Sequence, residues 1–502
     1  MKKRLLFAIS CWLLAIGSFA QTGFAEKPKL VVGIVVDQMR WDYLDRYYDR
    51  FSEGGFRRLI DQGFSCNNCL INYLPTVTAI GHTSVYTGST PAYHGICGNN
   101  FYIDGKNVSS CQDDSVLPVG SNSDRGNRSP RNLLATTIGD QLRLHTDFRS
   151  KVVGVSYKDR AAILPAGHSA NGAYWLDTKA LCFITSTYYM NELPAWVNQF
   201  NQSLKKNKEV QQAGENIGYT PLCGTITTDM AIAALKGEQL GRGETTDMLC
   251  VSYSQTDVIG HEWGTRGERA DAAYLTLDRD LERLFTALDK EVGEGCWMAF
   301  LTADHGATHN WHFLNDNKLP GGPLMMADIK QQANDYIASR LGATKPVVAD
   351  VMNFRFFLDH QAVKEQQLDL DEVKATLVSF LKEVPHLITA VDYEKARLSA
   401  LPSLLLDRVL MGYMPGRSGD VVAIPDPHYY DWWATAPSTH TTHGEWNPYD
   451  AHIPCLFLGW KIAHGATSRE VHITDIAPTV CQLLHIQQPS ACVGEAIVEI
   501  TK

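Results

Sequence analysis

Residues 29–36 read KLVVGIVV, an almost unbroken apolar, β-branched run that stops at Asp37. A run without alternation suits a strand covered on both faces, as in a parallel sheet packed between helices. The pattern returns at 247–253, where MLCVSY leads into Ser254-Gln255-Thr256-Asp257, and at 296–302, where CWMAFLT leads into Ala303-Asp304-His305-Gly306. Helical patterns at 132–144, 225–236, 268–290 and 474–485 alternate with these runs. The expected fold is therefore α/β, a doubly wound, mostly parallel sheet flanked by helices.

In such sheets ligands bind beyond the carboxyl ends of the strands, so Asp37, Asp257 and Asp304 are expected to meet in one crevice. A single aspartate after a strand is most often a helix cap. Here there are three, and two come with histidines, as Asp257-x3-His261 and Asp304-His305. Carboxylate and imidazole are donors that zinc accepts, and a set without thiolates suits a catalytic site better than a structural one.

Two stretches break the alternation. Residues 168–202 read as a short antiparallel meander followed by a helix, and residues from about 320 to about 430 mix a helix at 371–383 with extended segments and Pro/Gly turns. Insertions at about 168–215 and about 320–430 are expected to lie over the crevice as cap or lid segments, where specificity elements are usually carried. The remainder of 27–502 is expected to form one catalytic domain.

The first twenty residues run from Lys2, Lys3 and Arg4 through a short apolar core to Ser18-Phe19-Ala20. That is the pattern of a secretory signal peptide, and it predicts a periplasmic or secreted protein without stable membrane insertion. Removing it takes the formal net charge from −10 to about −13, so nucleic acid is not an expected partner. An anionic substrate must instead be drawn in by metal ions or a few placed cations. Cys66-x2-Cys69 has zinc-knuckle spacing but no second pair of that spacing, which favours a disulfide or plain packing.

The stretch YLPTVTAIGHTSVYTG (73–88) opens after Pro75 and closes at Gly88, the punctuation of a helix from Thr78 to Tyr86. It carries Thr76, Thr78, Thr83, Ser84 and Thr87, and on its own it singles out none of these hydroxyls.

Taken together, VVDQMRWDYL (35–44), LPTVTAIGHTSVYTG (74–88), PAYHGICGNNFY (91–102), YKDRAAILPAGH (157–168), TDVIGHEWG (256–264), TADHG (302–306) and THGEWNPYDAHIPCLFLG (442–459) resemble the alkaline phosphatase superfamily. Within it they resemble the exported, threonine-nucleophile alkaline phosphatases of the phosphate-irrepressible type. The resemblance implies two Zn2+ per active site. Asp257, His261 and His443 would hold one ion, and Asp37, Thr78, Asp304 and His305 would surround the other. His440 competes with His443, but His443 stands in the Thr-His-Gly context that precedes YDAHIP. The resemblance also makes Thr78 the nucleophile, four residues before His82, and Lys158, Arg160 and Asn99 contacts of the transferred phosphoryl group.

The implied activity is hydrolysis of small-molecule phosphate monoesters through a phosphothreonine intermediate, releasing inorganic phosphate. A monoester carries more charge on its non-bridging oxygens than a diester, and Lys158, Arg160 and Asn99 answer to that charge. Lys158 and Arg160 follow the apolar run KVVGVSY (151–157), and on an extended chain they would share one side. The competing expectations are a phosphodiesterase of the same superfamily and a non-catalytic metal-binding periplasmic protein. A sulfatase is disfavoured because the nucleophile segment lacks a Cys or Ser followed by Pro and Arg.

Overall fold

The computed structural model describes residues 26–432 and 440–501. The expected signal peptide, residues 1–20, lies outside the described residues.

Ten strands form the main sheet: β1 (Leu30–Val36), β2 (Phe64–Cys66), β3 (Pro118–Val119), β4 (Val152–Ser156), β5 (Gly172–Asp177), β6 (Cys182–Ser186), β7 (Asp247–Tyr253), β8 (Trp297–Thr302), β9 (Cys455–Gly459) and β10 (Gly465–Thr467). Their order across the sheet is β10-β2-β9-β8-β1-β7-β4-β5-β6-β3. The centre is parallel: β1 pairs with β7 and β8, β7 with β4, and β4 with β5. Every residue of β1, β4, β7 and β8 is buried, as the unbroken apolar runs require. Antiparallel pairings appear only toward the edges, where β9 meets β8 and β2, and β6 meets β5 and β3.

The flanking helices include α1 (Thr78–Thr87), α2 (Ile138–His145), α3 (Asp159–Ala166), α4 (Leu222–Gly237), α5 (Gln255–Trp263), α6 (Glu268–Glu291) and α7 (Ile476–Leu484). Apolar periodicity would start α2 at residue 132, but it starts at 138. The reason is a capping box: the Thr137 hydroxyl accepts from the Asp140 N–H, and the Asp140 carboxylate accepts from the Thr137 N–H.

The segment expected as a cap at 168–215 does not lie over the crevice. Its meander and helix exist, as β5, β6 and the helix Ala195–Lys206. However, β5 and β6 are buried along their whole length and widen the main sheet beyond β4. A strand apolar on both faces finds its second cover within the sheet's flanking layers, not above them.

The later segment forms its own antiparallel sheet, with strands Val348–Met352, Arg355–Leu358, Val421–Pro425 and Leu387–Asp392 in that order. It has a core of its own, built around Phe356, Val373, Leu377 and Val421, and helix Leu370–Leu381 packs on it. The eleven described cysteines are all free thiols. Cys66 and Cys69 are buried, so packing and not a disulfide accounts for that pair.

Candidate active site

The three aspartates meet as strand topology requires. Asp37 follows β1, Asp257 lies in the first turn of α5 after β7, and Asp304 stands two residues beyond β8. Since β7 and β8 are the two neighbours of β1, their carboxyl ends open into one space. His261 is one helical turn after Asp257 on α5 and so shares its face.

Two groups of side chains present ligand atoms all within 4.8 Å of one another: Asp257, His261 and His443, and Asp37, Asp257 and His305. Asp257 belongs to both. The three histidines are oriented alike. His261 Nδ1 lies 2.8 Å from the Thr441 carbonyl, His443 Nδ1 2.7 Å from the Thr76 carbonyl, and His305 Nδ1 2.9 Å from the Gly306 carbonyl. A carbonyl only accepts, so each Nδ1 carries the proton and each Nε2 lone pair is directed inward. That is how metal-binding histidines are held. The rings of His305 and His443 stack at 3.5 Å.

Asp304 Oδ1 accepts from the Gln38 and His305 N–H groups, at 3.1 and 3.0 Å. Asp304 Oδ2 and Asp37 Oδ1 are buried without a hydrogen-bond partner. Buried carboxylate oxygens left open beside inward-facing imidazoles fit a divalent cation. Burial and the neighbouring Asp304 and Asp257 carboxylates raise the Asp37 pKa well above its ordinary value. For Asp257 burial acts the same way, but His261 and Lys158 outweigh it and hold the carboxyl well below. Burial, reinforced by His305, lowers His443 and keeps it a neutral donor. Lys158 Nζ bridges Asp37 Oδ2 at 2.7 Å and Asp257 Oδ2 at 2.6 Å. Burial would lower its pKa, and the two carboxylates raise it instead.

The five hydroxyls of the 73–88 stretch separate in the structure. Helix α1 is buried along its whole length and stops at Gly88, whose φ of 64° is left-handed. Thr83 and Thr87 donate back to the carbonyls four residues earlier, Ser84 contacts His94 Nε2, and Thr76 donates to the Glu445 carbonyl. Thr78 alone faces the carboxylate and imidazole cluster, with Oγ1 3.4 Å from His305 Nε2. As the first residue of α1 it also sits where free N–H groups favour an anion.

Asn99 accepts from the Ala79 N–H through Oδ1 at 2.9 Å, beside Thr78. Lys158 and Arg160 do not lie on an extended chain: Lys158 is extended, but α3 begins at Asp159, so they straddle a helix start. The cause is a change of structure right after β4, which period-two reasoning does not detect. Lys158 enters the cluster. Arg160 occupies the first turn of α3 with its Nε unpartnered. His440 contacts Glu262 at 3.3 Å and lies outside both ligand groups.

Sequence reasoning missed Gln38. It holds φ at 65°, costly for a residue with a side chain, and from there its backbone N–H reaches Asp304 while its amide donates to Asp257 Oδ1 at 2.7 Å. The approach needs glycine at 260, where a Cβ would fall 1.9 Å from Gln38 Oε1. The only available signal was its place next to Asp37. His82 stands beside the cluster, with Nδ1 2.9 Å from the Thr78 carbonyl and 3.2 Å from Asp304 Oδ2.

Gly81 brings α1 against the end of β8. A Cβ there would lie 2.2 Å from the Asp304 carbonyl oxygen, a backbone atom. Gly81→Ala is therefore expected to cost about 1–3 kcal/mol through overpacking, read as a lower urea midpoint at unchanged slope. An unchanged midpoint would show that the helix shifts freely.

Residues 31–446 match the family described as type I phosphodiesterase / nucleotide pyrophosphatase. The chain belongs to that family, within the alkaline phosphatase superfamily. It is 42% identical to alkaline phosphatase PafA of Elizabethkingia meningoseptica over 96% of both chains. It is also 42% identical to alkaline phosphatase PhoV of Synechococcus elongatus, over 96% of this chain and 94% of that one. A protein of Myroides odoratus named as a calcium-transporting ATPase is 43% identical, over 94% of this chain and 95% of its own. The crystal structure of PafA superposes with a TM-score of 0.91, covering 95% of this chain and 99% of that one. A further PafA structure carries substitutions at a threonine, an asparagine, a lysine and an arginine, spaced within each pair as Thr78 and Asn99, and Lys158 and Arg160, are here.

Proposed function

We propose that this chain is an exported alkaline phosphatase that hydrolyses small phosphate monoesters through a phosphothreonine at Thr78. The signal-peptide pattern of residues 1–20 supports periplasmic or secreted placement, and 27–502 is read as the catalytic domain, with an insertion at about 320–430 and the strands of the 168–215 segment built into the main sheet. Asp257, His261 and His443 would hold one Zn2+, and Asp37, Thr78, Asp304 and His305 the other. When bound, the paired ions supply charge stabilisation and lower the pKa of a coordinated hydroxyl.

The observation that carries the reading is Thr78, the one hydroxyl of its segment turned toward the inward Nε2 of His305, at the amino end of a buried helix. Thr78 Oγ gives up its proton to solvent and attacks phosphorus as the ester P–O bond breaks, and the leaving oxygen departs opposite to it. The leaving oxygen takes up a proton. Water then attacks the phosphothreonine, the Oγ–P bond breaks as a proton from that water returns to Thr78 Oγ, and phosphate is released. Lys158, Arg160 and the Asn99 amide bind the non-bridging oxygens. The N–H groups of the first turn of α1 add to that field.

The family's own description favours a second reading, a phosphodiesterase. One panel separates the two: p-nitrophenyl phosphate, its bis ester, and ATP, each with and without a chelator. We expect the monoester to turn over at least about a hundredfold faster than the diester, and chelation to abolish both. Equal or reversed preference would move the assignment to a diesterase. ATP tests the ATPase chemistry in the name of the Myroides relative, which is the same phosphoryl transfer with another leaving group.

A further inference from the structure

Two arginines of the inserted segment reach back into the main domain and grip one loop. Arg355 opens strand Arg355–Leu358 and is 1% exposed. It donates through Nη1 to the Cys97 carbonyl and through Nε to the Met352 carbonyl at 3.2 Å. Arg417 donates through Nη1 to the carbonyls of Gly95 at 2.6 Å and Asn132 at 2.8 Å. The stretch between these anchors, 95–97, leads two residues later to Asn99. The Arg355 guanidinium lies directly on it, since a Cβ at Gly98 would fall 2.9 Å from Arg355 Nη2. That Nη2 has no hydrogen-bond partner, and Arg355 lines a small cavity together with Gly444 and Glu445, which follow His443 in the chain.

A buried guanidinium is expensive to desolvate, and this one spends its best hydrogen bond on a single carbonyl of the loop. The loop's output is the orientation of Asn99. Asn99 Oδ1 accepts from the Ala79 N–H, which commits the oxygen end of the amide to α1 and leaves its NH2 with two donors to give. Its neighbour across that bond is Thr78. A fork that fixes the Cys97 carbonyl therefore fixes where the Asn99 donors stand relative to the nucleophile.

We infer that Arg355 is a positioning residue for monoester selectivity, with Arg417 as the second anchor. The inserted sheet holds the 95–99 loop so that the Asn99 amide meets the additional anionic oxygen that a monoester has and a diester lacks. This inference rests on the monoesterase reading above.

The test compares wild type, R355M, N99A and R355M/N99A on p-nitrophenyl phosphate and its bis ester. R355M is expected to lower kcat/KM for the monoester about 10- to 100-fold, the range for supporting residues, and for the diester by less than about threefold. In the N99A background it is expected to add less than about threefold, because the two residues act through one contact. R417M is expected to shift the ester ratio in the same direction, which keeps the inference testable if R355M fails to fold. Equal losses on both esters, or an undiminished loss in the N99A background, would overturn it. If wild type itself fails to prefer the monoester, the monoesterase reading falls. If wild type is selective and both arginine variants keep its ratio, only the role of Arg355 falls.

Discussion

Thr78→Ala is expected to lower monoester turnover by at least about 10³-fold, with no change in metal content beyond one lost oxygen ligand. Alanine removes the only atom that forms the new bond to phosphorus, while the imidazoles and carboxylates around it keep their backbone anchors. Thr76, Thr83, Ser84 and Thr87 cannot substitute, because each hydroxyl is committed elsewhere in the helix or its surroundings. Thr78→Ser keeps the oxygen and loses a methyl group in a packed site, so it is expected to retain activity within about tenfold. Acid quenching during turnover should leave phosphate on the peptide containing residue 78 in wild type and Thr78→Ser, and none in Thr78→Ala. A Thr78→Ala enzyme at the wild-type rate would mean that water attacks phosphorus directly.

The convergence of Asp37, Asp257 and Asp304 was legible because it depends on two local signals, strands apolar on both faces and the residue at which each run stops. Sheet topology does the rest, since neighbouring parallel strands deliver their carboxyl ends to one edge. Residue chemistry alone could not choose Thr78 among five hydroxyls. The choice is made by partners far away in sequence, such as the Glu445 carbonyl for Thr76 and His305 for Thr78 itself. The imidazole orientations were hidden for the same reason, as the carbonyls of Thr441 and Thr76 come from remote loops. Errors arose where a local pattern has two tertiary outcomes. The apolar meander breaks the strand and helix alternation and so suggests a cap at about 168–215, yet a run buried on both faces belongs in a sheet. Gln38 escaped notice because positive φ leaves no mark in sequence unless glycine or asparagine supplies it.

Asp257→Asn is expected to be the most damaging single change among the proposed ligands, costing at least about 10³-fold in activity, losing the metal it would hold with His261 and His443 and weakening the neighbouring one, because its carboxylate also stands within 4.8 Å of the Asp37 and His305 ligand atoms. The reason is geometric. Asp257 is the one residue common to both ligand groups, with Oδ1 3.0 Å from His261 Nε2 and 3.6 Å from His443 Nε2, and Oδ2 2.6 Å from Lys158 Nζ. Asparagine preserves shape, but its NH2 cannot ligate. If the NH2 faces Oδ1's neighbours it opposes the Gln38 amide, and if it faces Lys158 it opposes an ammonium. Either way two donors meet in a buried space, so the variant loses a ligand and gains a mismatch. His443→Ala differs, because His443 belongs to one group only and leaves Asp37, Asp257 and His305 together. It is expected to lose one metal per chain and to recover part of its activity at raised zinc. Metal content per chain, measured after dialysis at several zinc concentrations, distinguishes the two variants. A full metal complement in Asp257→Asn would show that the two groups bind independently of the carboxylate they share.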